Sequence, residues 1–104
     1  MDQYLPEFYR SFREQYGAVA SSLDRLAATI DQTGGLDERS RRLVKLGIAI
    51  GSRSEGAVRS NARKAAALGL EPDQLRQAAL LAVTTLGFPS AMAALQWVEK
   101  VIDD

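Results

Sequence analysis

One short run of residues indicates the fold more clearly than any other: Leu43-Val44-Lys45-Leu46-Gly47-Ile48-Ala49-Ile50-Gly51. The run is apolar nearly all round, so as a helix it would be buried on most of its faces. Gly47 and Gly51 lie four residues apart on one face, where another backbone could approach closely. The run therefore predicts a buried helix.

The residues on either side of this run mark the ends of helices. Asp37 is suited to cap the buried helix, and Ser54 is suited to cap a third helix that runs to Leu68 and stops at Gly69. Pro72 and Pro89 fit the first turns of a fourth and a fifth helix. The fourth helix is expected to end at Gly87. No segment alternates with period two well enough to form a strand, so the expected class is all-α with five helices.

The N-terminal part carries a heptad-like apolar stripe, formed by Leu5, Phe8, Phe12, Tyr16, Val19, Leu23, Leu26 and Ile30. It predicts one long helix, or two collinear helices broken near Gly17, that begins at Pro6 and ends before Gly34. A helix of this length would reach roughly 40 Å, longer than one small domain needs. We therefore expect this helix to contact another subunit.

Composition excludes several classes of function. The 104 residues are expected to form a single domain over 1–104. The chain has no cysteine and no histidine, which excludes disulfides, thiol peroxidase chemistry, Cys/His zinc sites and imidazole bases. No loop offers more than two acids, so we expect no metal and no cofactor. No apolar run is long enough to cross a membrane and the N-terminus does not resemble a signal peptide, so the expected location is the cytoplasm.

Charge is unevenly distributed although the 13 basic and 13 acidic residues cancel. From position 37 to position 64, basic residues outnumber acidic ones. This segment could attract an anionic ligand, or its charges could simply lie on solvated helix faces. No aromatic residue is interleaved with these arginines, and the net charge is zero, so we expect no nucleic acid partner.

Two charged residues are the candidates for chemistry. Lys45 is the only charge in the apolar run, and it could bind a carboxylate, act as a base, pair with an acid or extend to the edge. Glu55 could serve as a general base, although a carboxylate in the first turn of a helix is explained equally well by the helix dipole.

Three further residues are candidates for binding a substrate. Arg59 could hold an anion, or it could pair with Glu55 one helical turn earlier. Asn61 is polar inside a helix, so a specific hydrogen bond is expected. Arg42 could pair with an acid of the same bundle or of another subunit. Trp97 is expected in the core or an interface.

The order of several motifs resembles that of the carboxymuconolactone decarboxylase family, which includes alkyl hydroperoxidase D-like proteins. The resemblance covers about residues 36–102 and rests on the run at 36–51, on Glu55-Gly56-Ala57-Val58, on Arg63-Lys64-Ala65 and on Thr85 to Leu95 with its Gly87-Phe88-Pro89-Ser90-Ala91 turn. It implies a five-helix alkyl hydroperoxidase D-like bundle with a long N-terminal helix. It also implies a homo-oligomer, trimeric or hexameric, with a pocket between the second helix, the start of the third and the turn at Pro89.

This chain departs from the family at the residues that carry redox chemistry. The resemblance places the family's Cys-x-x-Cys-x-x-x-His signature at Ser54, Ala57 and Asn61, and its preceding glutamate at Arg42. Serine and alanine cannot cycle through a disulfide, so peroxidase activity is not expected. Asparagine cannot exchange a proton near neutral pH, so decarboxylation would need another acid or base.

Two functions remain open from the sequence. The first is a cofactor-independent enzyme of the lyase or decarboxylase type that acts on a small anionic lactone or carboxylate. In it, Lys45 and Arg59 would hold the anion and Glu55 would move the proton. The second is a catalytically silent oligomer of the same fold that binds a ligand or serves as a scaffold.

Overall fold

The structure is a computed structural model, and it describes residues 7–104. Within this range the ordered elements are helices: α1 (Glu7–Gln15), α2 (Gly17–Asp31), α3 (Glu38–Gly51), α4 (Glu55–Ala67), α5 (Pro72–Leu80), α6 (Val83–Leu86) and α7 (Phe88–Ile102). Two compact units are present, one at residues 7–35 and one at residues 36–104. The all-α class is confirmed, whereas the count of five helices is wrong. The single domain over 1–104 stays a prediction.

The N-terminal unit consists of α1 and α2, which meet at Tyr16. The backbone of Tyr16 is not helical, with φ −119° and ψ 55°. An ion pair joins Arg13 to Asp24, which in a continuous helix would lie roughly 16 Å apart along the axis. The predicted break near Gly17 is therefore confirmed, but the collinear arrangement is wrong. The predicted start at Pro6 and the stripe residue Leu5 lie outside the described residues.

Local capping sets the limits of α3 and α4 as the sequence predicts. The carboxylate of Asp37 accepts a hydrogen bond from the backbone N–H of Ser40 at 2.7 Å. Ser54 caps α4 in the same way, because its hydroxyl oxygen accepts from the N–H of Ala57 at 3.3 Å. The chain leaves α4 through Gly69, whose φ of +100° favours glycine.

The fourth predicted helix is two helices. It begins at Pro72 as expected, but α5 ends at Leu80, and α6 follows as a single short turn before Gly87. The final helix α7 begins at Phe88, one residue before the predicted proline start.

The core lies within residues 36–104, where α3, α4, α5 and α7 contribute small and branched apolar side chains. Its buried residues are Leu46, Ala49, Ile50, Val58, Ala62, Ala65, Leu70, Leu75, Ala79, Ala82, Ala91, Ala94, Val98 and Val101. Trp97 packs partly buried against this cluster, as predicted. Within residues 7–104, no helix is both long and apolar enough to cross a membrane.

Helix α3 is buried on one side only, so the expectation of burial on most faces is wrong. Leu46, Ala49 and Ile50 face the core, whereas Val44 and Ile48 are exposed. The reason is that α3 packs against α4 and α5, which cover its inner side. Within residues 36–104, a Cβ added at Gly47 or at Gly51 of this helix would meet no atom within 4 Å.

Candidate functional site

A small pocket lies between α3 and α4. It has a volume of about 330 Å³ and is lined by Lys45, Ile48, Ala49, Ser52, Ala57 and Asn61. Lys45 and Ala49 of α3, and Ser52 directly after its end, follow one another at the four- and three-residue steps that keep side chains on one side of a helix. Ala57 and Asn61 are one turn apart on α4 and close the opposite wall. Two of the sequence candidates, Lys45 and Asn61, are thus brought together.

Among the described residues that line this pocket, Lys45 is the one with a charged side chain. Lys45 is half-buried. An ammonium group here favours an anionic ligand over a neutral one.

The two hydrogen-bonding side chains of the pocket are held by their own helices. The Asn61 amide nitrogen donates to the carbonyl of Ala57 at 2.8 Å, which confirms the predicted specific hydrogen bond. The Ser52 hydroxyl donates to the carbonyl of Ala49 at 2.6 Å. Asn61 has a second amide hydrogen and an oxygen to offer a ligand, and the Ser52 oxygen can still accept. Our sequence analysis missed Ser52, although its position two turns after Lys45 was a usable signal.

Glu55 lies outside the pocket lining. Its carboxylate pairs with Arg59 at 3.4 Å and with Lys100 of α7 at 3.5 Å. Arg59 is thus in the pair with Glu55 that its spacing allowed, and its buried Nε has no hydrogen-bond partner among residues 7–104. The structure does not bring Glu55 or Arg59 together with Lys45 in the pocket, and their catalytic and binding roles stay predictions.

The remaining family positions are divided between the pocket and its surroundings. Ala57 lines the pocket but carries no functional group. Ser54 is exposed and serves as the cap of α4. Arg42 is half-buried on α3, outside the pocket lining. Of the three positions that correspond to the redox signature, only Asn61 thus offers a polar group to the pocket.

A second and larger concavity runs between α3, α5 and α6, and the sequence analysis did not foresee it. Its volume is about 540 Å³, and its lining consists of Leu43, Val44, Gly47, Ile50, Gly51, Gln74, Gln77, Ala78, Leu81, Ala82, Thr85 and Leu86. The lining carries no charged side chain, and its polar groups are two glutamines and a threonine. This groove thus suits an apolar partner, whereas the Lys45 pocket suits an anion.

Strong charge pairing occurs away from the pocket. On α5, Arg76 donates to Glu99 of α7 at 2.9 Å and to Asp73 at 3.0 Å. These carboxylates raise the pKa of Arg76 above its ordinary value. Within residues 7–104, no group of three acidic, histidine or cysteine side chains is placed to hold a metal ion.

Comparison with known proteins gives one match. The model of the carboxymuconolactone decarboxylase family matches residues 6–100. No curated protein and no solved structure matches the chain. The matched range includes every residue of the Lys45 pocket.

Proposed function

Because the chain belongs to the carboxymuconolactone decarboxylase family, we propose that its Lys45 pocket binds a small organic carboxylate. One observation carries the proposal: an ammonium group and an oriented amide, Lys45 and Asn61, line the same cavity. A carboxylate accepts hydrogen bonds from both kinds of donor, and the bond to a charged donor is the stronger. A volume of about 330 Å³ lies at the small end of ligand sites.

The arrangement favours binding over chemistry. Glu55, the proposed proton carrier, pairs with Arg59 and with Lys100 and does not line the cavity. A catalytically silent ligand-binding protein is therefore our first proposal. Thiol peroxidase chemistry is excluded because the chain has no cysteine.

A cofactor-independent lyase is the second candidate, and the position of Lys45 favours it. An amine in a small cavity can both hold a carboxylate and transfer a proton to an adjacent carbon. Such an enzyme would act on a small anionic lactone or carboxylate. Turnover of the bound compound would separate this candidate from the first.

We also propose that the chain forms a homo-oligomer, trimeric or hexameric. Support comes from exposed apolar residues at helical spacing on α2, namely Val19, Leu23, Leu26 and Ile30, each about half exposed. Such rows of apolar surface are typical of protein interfaces. Location in the cytoplasm stays a prediction.

The test of carboxylate binding is a thermal-shift and calorimetry screen on the purified protein. The panel contains muconolactone, benzoate, 4-hydroxybenzoate and lactate, with benzamide as the uncharged match for benzoate. A compound at 100 times its Kd stabilises the native state by about 2.7 kcal/mol and raises Tm by several degrees.

Lys45→Met is the diagnostic variant and Lys64→Met is its control, because Lys64 is an exposed lysine of α4 outside the pocket. Loss of a charge-assisted hydrogen bond costs about 1.5–3 kcal/mol, so Lys45→Met weakens binding about 10- to 150-fold. Lys64→Met leaves the affinity unchanged. The proposal is wrong if benzamide binds as well as benzoate, or if both variants bind equally.

A further inference from the structure

We infer that Arg53 is a positioning residue for the Lys45 pocket, because it ties the turn between the pocket's two walls to the first turn of α7. The inference rests on the proposed carboxylate site and names a residue that acts on this site without lining it. Every contact that carries the inference lies within residues 36–104.

Arg53 is the middle residue of the turn 52–54, which joins α3 to α4. Before it, Ser52 lines the pocket. After it, Ser54 caps α4, the helix that carries the opposite wall. Because φ and ψ are the only soft backbone angles of a residue, the conformation of Arg53 sets the direction in which α4 leaves α3. It therefore sets the spacing of the two walls.

The backbone of Arg53 is strained. Its φ is +57°, and within residues 7–104 Arg53 is the one residue other than glycine with a positive φ. Its N–H donates to the carbonyl of Ile50 at 3.1 Å, which places it just after the end of α3, where a left-handed residue is common and glycine is preferred. A Cβ raises the energy of this conformation, so the stability of the turn by itself favours glycine over arginine.

The side chain of Arg53 makes a contact that glycine does not offer. Its Nε donates to the hydroxyl oxygen of Ser90 at 3.1 Å, although the two residues are 37 positions apart. Ser90 lies in the first turn of α7, so the contact joins the turn 52–54 to a different helix. A hydrogen bond between exposed side chains adds little net stability. Its specific effect is to hold a strained turn in one conformation.

A fixed turn makes binding more favourable. Without the contact to Ser90, residue 53 would also adopt conformations of negative φ, and only a fraction of molecules would hold the two walls at the spacing that binds a carboxylate. The apparent affinity falls in proportion to that fraction. By reciprocity, a carboxylate bound between the walls strengthens the contact between Arg53 and Ser90 by the same factor.

The test is a double-substitution experiment, measured by calorimetric titration with benzoate, or with muconolactone where muconolactone binds more tightly. Ser90→Ala removes the acceptor without changing any charge, and Arg53→Gly removes the donor but suits the positive φ. Each variant binds the carboxylate about 2- to 10-fold more weakly than wild type, the range of one net hydrogen bond. The double variant binds no more weakly than either single variant, because both substitutions remove the same contact. Ser90→Thr keeps the hydroxyl and with it the wild-type affinity.

Thermal unfolding separates positioning from a merely structural role. Arg53→Gly relieves the positive φ, so its Tm stays at or above that of wild type while its affinity falls. Arg39→Ala is the matched control, because Arg39 also donates to a distant residue, the carbonyl of Gly69 at 3.3 Å. Arg39 lies at the opposite end of α3 from the turn. Its variant loses a positive charge and a tertiary hydrogen bond but keeps the wild-type affinity.

Three results would overturn the inference while the carboxylate site stands. They are an unchanged affinity of Ser90→Ala, a double variant that loses the product of the two single effects, and an equal loss of affinity in Arg39→Ala. Failure of the carboxylate site itself has a different signature. Wild type then binds neither compound, or Lys45→Met binds as well as Lys64→Met, and the inference about Arg53 falls with the site.

Discussion

Replacing Leu75 by alanine tests the assignment of the core within residues 36–104. Leu75 lies on α5, is 1% exposed and belongs to the apolar cluster shared by α3, α4 and α7. Truncation removes three carbon atoms, worth about 0.8 kcal/mol each, and leaves a cavity that surrounding helices fill only partly. We expect a loss of about 3–5 kcal/mol in the free energy of unfolding.

The matched control is the same substitution at Leu80, which lies on the same helix and is 49% exposed. Alanine is at least as good a helix former as leucine, so helix propensity does not contribute to either result. The Leu80→Ala variant should lose only about 1 kcal/mol in the free energy of unfolding, because half of the side chain is already in water.

Urea denaturation at a fixed protein concentration, followed by the fluorescence of Trp97, measures both variants. Trp97 is the chain's single tryptophan and packs against the same core, so it reports the unfolding of that unit. A fixed concentration is needed because assembly contributes to apparent stability. Equal losses at Leu75 and Leu80, or a loss under 1 kcal/mol at Leu75, would refute the assignment of the buried face of α5.

Two further predictions concern helix ends. Gly69→Ala should lower the free energy of unfolding by about 1 kcal/mol, because φ at Gly69 is +100°. Gly56→Ala, within α4, should leave that free energy unchanged or raise it by up to about 1 kcal/mol. Thermal unfolding compares the two, and an equal effect would contradict the assigned turn. Asp37 has a pKa below its ordinary 3.8, chiefly because the backbone N–H of Ser40 donates to it. Its stabilising effect is therefore complete above the unfolded-state pKa and is lost as pH falls through the lower folded-state pKa. The Asp37→Asn variant should thus be less stable than wild type at pH 6 and equally stable near pH 2. Measurements of Tm between pH 2 and pH 6 test this. A difference in Tm that stays constant over this range would rule out the charged cap.

The limits of most helices in the core unit could be predicted from sequence because they depend on residues a few positions apart. Asp37 and Ser54 each cap a helix by bonding to an N–H three residues later. Pro72 removes a backbone donor that a first helical turn does not use. The walls of the pocket on α3 and α4 were implied by the family resemblance rather than by spacing, and the turn at Pro89, which the resemblance also implied, is not part of the lining.

Partners far apart in the chain could not be predicted. Glu55 has Arg59 one turn away, which spacing shows, but its second partner Lys100 is 45 residues distant. Only the packing of α4 against α7 brings that ammonium group within 3.5 Å of the Glu55 carboxylate. The ion pair between Arg13 and Asp24 likewise requires the bend at Tyr16, which the apolar stripe does not reveal.

By itself, the sequence determined that the chain is helical, where its caps and proline starts lie, which family it resembles and that no thiol or imidazole chemistry is available. These properties depend on composition and on bonds between near neighbours. The tertiary structure decided which side of α3 meets the core, which candidates share a pocket and which are paired elsewhere. A run that is apolar all round does not specify its buried side, because that depends on the surfaces that α4 and α5 present to it.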